Sequence, residues 1–417
     1  MIEFKETDIG QIPVHWSLMT VDDIKSPTKK SIISGPFGSS ISAKYFVDSG
    51  VPVIRGNNLS LDIHIKFKDD GYVYITDEKA NELGTWAEKD DLIFTAVGTI
   101  GQVGILLGKE TYSKYIISNK QLRLRVNTEL IEPLYAYYWF ASPFMVDMIL
   151  QRNTGSSVPL INLSVLKSLL IPIPPKKERT SILNIISSLD NKIDLLHRQN
   201  ATLEKMAETL FRQWFIEEAK EDWATGKVSD LIKILSGFAF KSSSFVESGK
   251  YRLITIKGVQ DGYLELNNAD RIEELPDRLP EFCKLEIGDI LLSLTGNVGR
   301  CCLVDTKDLL LNQRVAKLEP MKERDRAYTY FLFRLPQIKQ LLEEMGKGTA
   351  QSNLSPIETS NMELIIPDES RLEEFSAIAT PWLNKLLFNK KSIQTLTQLR
   401  DSLLPKLMSG EVSVDIK

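Results

Sequence analysis

The chain carries one long pattern twice. Asp91-Leu92-Ile93 and Gly98-Thr99-Ile100-Gly101 return as Asp289-Ile290-Leu291 and Gly296-Asn297-Val298-Gly299, each pair 198 positions apart. Upstream, Trp16, Val21, Asp23 and Ile24 are answered by Trp223, Val228, Asp230 and Leu231 at identical internal spacing. Downstream, Asn119-Lys120-Gln121 pairs with Asn312-Gln313-Arg314, and Gly155-Ser156-Ser157 with Gly348-Thr349-Ala350. This is far longer than the unit of a stacked repeat, which runs to roughly 20–50 residues. It is a duplicated domain with a duplicated connector. Such a chain suits the reading of two similar targets at a fixed separation.

Bulk properties narrow the class further. At 417 residues there is room for two or more domains, each with its own core. The net charge of −4 argues against a nonspecific nucleic-acid coat but not against DNA binding through local patches. The longest apolar stretch, residues 136–150, is interrupted by Pro143 and Asp147 and is too short for a bilayer. No secretion-signal pattern stands at the start. Cys283, Cys301 and Cys302 lack ligand spacing and have no counterparts in the first half, so they read as reduced thiols of a cytoplasmic protein without zinc.

Each half opens with a region of short strands between Gly- and Ser-rich turns. Residues 51–54, 72–75, 91–94 and 122–126 are expected strands in the first half, and 253–256, 263–266 and 290–293 in the second. Aromatic-rich helical stretches follow at 134–150 and 328–345, and each half closes at a proline stop, Pro172 to Pro175 and Pro367.

Beyond each stop the apolar period changes from two to three and a half. The first seam runs Ile182, Ile186, Leu189, Ile193, Leu196, Asn200, Leu203, Ala207, Leu210 and Trp214. The second runs Phe375, Ala379, Trp382, Leu386, Asn389, Ile393, Leu396, Arg400, Leu403 and Leu407. An asparagine in such a seam fixes register and partner at some cost in stability. The pattern also describes two amphipathic helices packing on their own domains. If instead they pair antiparallel, helices of about 40 residues make a rod of about 60 Å. That rod would hold the modules about 15 base pairs apart on duplex DNA.

Three short motifs add a family likeness. Ile12-Pro13-Val14-His15-Trp16, Leu210-Phe211-Arg212-Gln213-Trp214-Phe215 and Leu403 to Val412 occur in the order and spacing expected of one family. Along essentially its whole length the chain resembles the specificity subunit of type I restriction–modification systems. The resemblance implies an α+β fold: two globular target recognition domains, 1–175 and 223–370, and two conserved helices, 176–222 and 371–417. The helices would form an antiparallel coiled coil within a pseudo-twofold internal repeat. Each recognition domain would read half of a bipartite, asymmetric site in double-stranded DNA, and the helices would set the spacer. Two methylation subunits would dock on this frame and supply S-adenosylmethionine chemistry, and restriction subunits, where present, would add cleavage. This chain itself would hold no cofactor and no catalytic site. The competing reading, from a different class, is a coiled-coil scaffold whose duplicated domains bind proteins.

The residues agree with the absence of chemistry. There is no methyltransferase Asn/Asp-Pro-Pro-Tyr/Phe loop, and Gly346-Lys347-Gly348-Thr349 lacks the spacing of a phosphate loop. Asp305-Thr306-Lys307 matches a nuclease tripeptide that arises often by chance. His15 reads as packing or surface, His64 lies in a strand-like run, and His197 flanks the seam.

DNA readout calls for paired donors and acceptors on loops, with Gly, Ser and Thr turns against phosphates. Four segment pairs meet that need and nominate Lys44, Arg55, Asn57, Asn58, Gln102, Lys120, Gln121 and Arg152 in the first half. Lys241, Lys257, Gln260, Arg300, Gln313, Arg314, Lys347 and Asn353 are nominated in the second. The shared glycines of the 98–101 and 296–299 turns either build the domain or meet phosphates. Base discrimination is expected where the halves diverge, as at Arg55-Gly56-Asn57-Asn58 against Lys257-Gly258-Val259-Gln260, and Gln102 against Arg300. Phe211, Trp214 and Phe215 either seal the first helix against the second domain or offer a patch to a methylation subunit.

Overall fold

The computed structural model describes residues 3–155, 157–347 and 353–414. Its contacts gather into two units, residues 1–191 with 398–417 and residues 192–397. The division falls within both long helices, so each unit contains a piece of each.

In the first unit, strand Asp91–Thr95 lies inside an antiparallel sheet ordered Ile32–Ser34, Gln121–Arg125, Asp91–Thr95, Val103–Ile105. Its side chains alternate between two cores. Leu92 and Phe94 join the large cluster that holds Tyr135, Tyr137 and Phe140. Ile93 points the other way, to Ile54, Leu59 and Tyr115. Both faces are covered, which is why the three central residues are apolar in succession rather than alternating with polar ones. The second sheet is ordered Val73–Ile75, Val51–Ile54, Lys114–Ile117, Trp86–Glu88, and its two central strands run parallel.

The second unit repeats this topology strand for strand. One sheet is ordered Ile232–Ser236, Val315–Pro320, Ile290–Ser293, Cys301–Leu303, and the other Arg271–Ile272, Tyr251–Ile254, Leu309–Leu311, Lys284–Leu285. Again the central pair of the latter is parallel. The duplicated aspartate has a duplicated task. Asp91 accepts the Glu88 amide at 2.9 Å and holds Arg125 at 2.7 Å; Asp289 accepts the Glu286 amide and holds Lys317, both at 2.8 Å. It closes the turn into the strand and fixes a cation on the neighbouring strand.

Two strand expectations need correction, and the helical stretches 134–150 and 328–345 each hold a pair of helices, Pro133–Phe140 with Pro143–Gln151, and Arg326–Arg334 with Pro336–Gly346. Proline has no amide to give the preceding turn but fits the first turn of a new helix, so each proline restarts the chain in a new direction. Ser142 caps one restart by accepting the Met145 amide at 3.3 Å. Residues 263–266 make no strand, only a bridge between Val259 and Leu264, because Gly262 at φ +84° turns the chain there. His64 lies in a turn whose amide is taken by Asp62 at 2.9 Å, not in a strand.

The long helices are Lys176–Arg212 and Glu369–Ser409, of 37 and 41 residues. In the first unit Ile182 and Ile186 share a core with Leu404, Leu407, Met408 and Trp16. In the second, Asn200 meets Asn389 at 2.9 Å and Phe211 meets Phe375 at 5.6 Å between ring centres. Position rises along one helix as it falls along the other, so the two run antiparallel. Ile186, Ile193, Leu196, Leu386 and Asn389 are buried; Leu189, Asn200, Leu203, Trp382, Ile393, Leu396 and Leu403 are half-buried. The helices pack on each other and on their domain cores at once, which combines the two readings of the heptad pattern. Among the described residues no helix is long and apolar enough to cross a membrane.

Candidate nucleic-acid interface

The parallel strand pair in each unit determines which loops meet. Val51–Ile54 and Lys114–Ile117 end side by side, and the Ser118 amide donates to the Ile54 carbonyl at 3.0 Å. The turn 55–58 and the turn 118–120 therefore leave the sheet together. The turn 96–102 joins them from the adjoining sheet, with Gly98 and Gly101 at φ +99° and +92°. Together with residues 41–43 they line one cleft of about 700 Å³.

That cleft gathers five of the nominated residues, Arg55, Asn57, Gln102, Lys120 and Gln121. Arg55 and Lys120 supply positive charge, and among the described residues no acidic side chain lies in its lining. A chain of net negative charge thus presents a locally positive hollow, the polarity a phosphate backbone selects. Gln102 is held in place: its oxygen accepts the Thr95 hydroxyl at 2.9 Å and its nitrogen reaches the Leu59 carbonyl at 3.4 Å. Lys44 is exposed, with its ammonium 4.7 Å from the Tyr45 ring centre.

The second unit builds the corresponding site from the same strand ends. The Asn312 amide donates to the Ile254 carbonyl at 3.2 Å, which brings the turns after residues 254 and 311 together. Arg300, standing where the first unit has Gln102, donates to Gln260, and Gln260 donates to the Lys257 carbonyl at 2.8 Å. Lys241, Lys257, Gln313 and Arg314 are exposed. Arg300, Lys339 and Lys347 line a smaller hollow of about 310 Å³ with Gly296, Asn297, Val298 and one acid, Glu343. Asn353 accepts the Thr295 hydroxyl at 2.8 Å. Ser156 and residues 348–352 lie outside the described residues.

Some nominations do not survive the packing. Asn58 is fully buried; it accepts the Arg55 amide and donates to the carbonyls of Lys68 and Asp70 at 3.0 and 2.7 Å. It ties down the 55–58 turn and has no edge left for a base. Gln121 has no exposed surface and accepts the Ser118 hydroxyl, so it builds the cleft wall rather than reading DNA. Arg152 turns back on Ser168, at 3.2 and 3.3 Å. Lys339 was missed: it lies on helix Pro336–Gly346, where a lysine reads as ordinary helix surface, yet it pairs with Asp261 at the rim of the second hollow.

The aromatic cluster is corrected as well. Phe211 and Phe215 are buried against Tyr328 and Phe375, so they offer no surface to a methylation subunit. Trp214 is half-buried beneath Arg371, whose guanidinium carbon lies 4.2 Å from the ring centre. Among the described residues no cluster of His, Cys, Asp and Glu is placed to hold a metal. Asp305 and Thr306 are tied to the second long helix, by Lys390 at 3.3 Å and Gln394 at 2.9 Å.

A duplicated α+β module, with loops converging on a polar cleft and a long helix following each copy, defines a class of two-module recognition proteins. Residues 38–205 and 220–398 each match the type I restriction modification DNA specificity domain. The chain is 26% identical over 435 residues to the type I restriction enzyme MjaIX specificity subunit of Methanocaldococcus jannaschii, covering 99% of this chain and 97% of that one. It is 21% identical to the HindI specificity subunit of Haemophilus influenzae, covering 78% and 87%. The crystal structure of the type I restriction–modification S subunit from M. genitalium shares the fold, with a TM-score of 0.59 at 17% identity and 96% and 97% coverage. This chain belongs to the type I restriction–modification DNA-specificity family.

Proposed function

We infer that this chain is the noncatalytic DNA-reading subunit of a type I restriction–modification assembly, acting in the cytoplasm. Each module reads one half of a bipartite site in double-stranded DNA. The observation that carries this reading is a shared frame with divergent edges. Asp91 and Asp289 build the same turn in both modules, whereas Gln102 stands against Arg300 and the exposed Asn57 against a Val259 buried in the core. Arginine in a groove selects guanine, while glutamine suits adenine, so the two half-sites differ and the whole site is asymmetric. The antiparallel helices set the spacer between the half-sites. Two methylation subunits dock on the assembly, joined by restriction subunits where these are present.

Selection from duplexes with randomised cores, by the chain bound to its methylation subunits, tests this. The expected product is two short fixed blocks separated by an unselected gap of constant length. Recovery of no enriched sequence would overturn the reading and favour a protein-binding scaffold.

A further inference from the structure

Phe37 stands on a loop at the rim of the first cleft and is 90% exposed, the most exposed large apolar side chain among the described residues. A ring left in water forgoes the free energy of burial that a contacting surface would supply. Its backbone is anchored. The Gly35 amide donates to the Gln121 carbonyl at 2.9 Å, the Ser40 amide donates to the Phe37 carbonyl at 3.1 Å, and the Asn119 side chain reaches the Gly38 carbonyl at 3.5 Å. A Cβ at Gly35 would fall 1.8 Å from the Ser118 carbonyl oxygen, and Gly38 has φ +50°. Glycine at both places lets the loop press against the cleft wall and turn, and Pro36 stiffens the step between them.

The second module handles the same loop differently. Gly237 makes the same close approach, its Cβ position lying 2.2 Å from the Asn312 carbonyl oxygen. There Ala239 takes the place of Phe37. Of its neighbours, Phe238 is half-buried and Phe240 is packed into the core with Leu253 and Leu310. Among the described residues of this loop in the two modules, Phe37 is the one aromatic ring left exposed.

We propose that Phe37 is an apolar wedge that enters a base step of the first half-site and unstacks it. This rests on the DNA-specificity reading above. The wall to which the loop is pinned offers Asn119 and Lys120, polar groups suited to phosphates and base edges, beside the apolar Ile41, Phe46 and Val97. A flat ring beside such groups finds its apolar surface between bases, as wedging side chains do when they unstack a step and bend the duplex.

The test uses the full chain assembled with its methylation subunits, and duplexes bearing the selected site. 2-Aminopurine replaces single bases along both half-sites, away from the methylated adenine. The wild-type assembly is expected to raise fluorescence at one step of one half-site. Phe37→Ala should return that signal to the free-duplex level and weaken binding about tenfold, while Phe37→Trp should preserve both. An unstacking signal and affinity unchanged in Phe37→Ala would overturn the wedge. So would unchanged unstacking accompanied by poorer recovery of the methylation subunits, which would assign the ring to a protein contact. If the wild-type assembly selects no site, the DNA reading itself fails. A selected site without Phe37-dependent unstacking removes the wedge alone.

Discussion

The Asp190 carboxylate lies 2.9 Å from the Arg400 guanidinium, one on each long helix. Asp190 also holds Lys66 at 2.6 Å and accepts the Tyr138 hydroxyl, so it joins the helices to the first recognition module. Arg400 is 3% exposed. Replacing Asp190 by Asn leaves that cation only the exposed Asp401 carboxylate at 3.2 Å, which costs up to about 3–5 kcal/mol. Adding Arg400→Met should recover much of the loss. Denaturation midpoints of the single and double variants check this, and equal losses in both would contradict it.

Asn389 is fully buried, and its amide donates to Asn200 on the other helix at 2.9 Å. Its own side-chain oxygen has no partner. Asn200→Ala should therefore destabilise by about 1–3 kcal/mol, because it leaves the Asn389 amide only the long contact to Gln199 at 3.5 Å. Replacing both residues by leucine should cost less than the single change or even stabilise, while loosening the helix register. The register readout is the length of the unselected DNA gap, which should become heterogeneous only in the double variant.

Acid should weaken the first unit through His64. Burial, ahead of the Arg400 guanidinium, holds its imidazole below the usual value of 6.5, although Asp401 at 2.9 Å and the carboxylates of Asp62 and Asp190 pull the other way. The unfolded chain takes up this proton near pH 6.5, and the folded chain only at lower pH. Between those values the unfolded state binds more protons, so stability falls as pH drops below 6.5. His64→Gln should flatten that part of the melting-temperature profile. Parallel profiles from pH 7.5 to 5.5 would rule it out.

The cysteines should be silent in the folded protein. Burial pushes the Cys302 thiol up to about 12 and raises Cys301 and Cys283 as well, and all three are buried and free. A thiol-reactive dye at pH 8 should label none of them until denaturant is added, when all three react. Rapid labelling of the native chain at Cys301 or Cys302 would contradict the packing of strand Cys301–Leu303.

Much of the frame was legible because it depends on periodicity. Leu92, Ile93 and Phe94 alternate between two cores, and the same triplet spacing returns at Ile290, Leu291 and Leu292. The heptad step likewise marked Asn200 and Asn389 before their contact was visible. The site was less legible because its polar residues serve folding as often as recognition. Asn58 spends its amide on Lys68 and Asp70, ten and twelve residues away, which no local pattern announces. Lys339 reaches its hollow through the break at Pro336, which redirects a helix that reads as continuous. Phe37 lies in a Gly-Pro-Phe-Gly run that looks like an ordinary turn, and its exposure depends on how that turn is pinned to Gln121.

The most direct measurement is a genome-wide map of methylated adenines in a host expressing this chain with its methylation subunits, repeated with Arg300→Gln. The wild-type map should show one asymmetric motif of two blocks with a constant gap. The variant should change or relax only the block read by the second module, with the other block and the gap intact. A map with no bipartite motif, or a substitution at Arg300 that alters both blocks, would contradict the assignment of one half-site to each module.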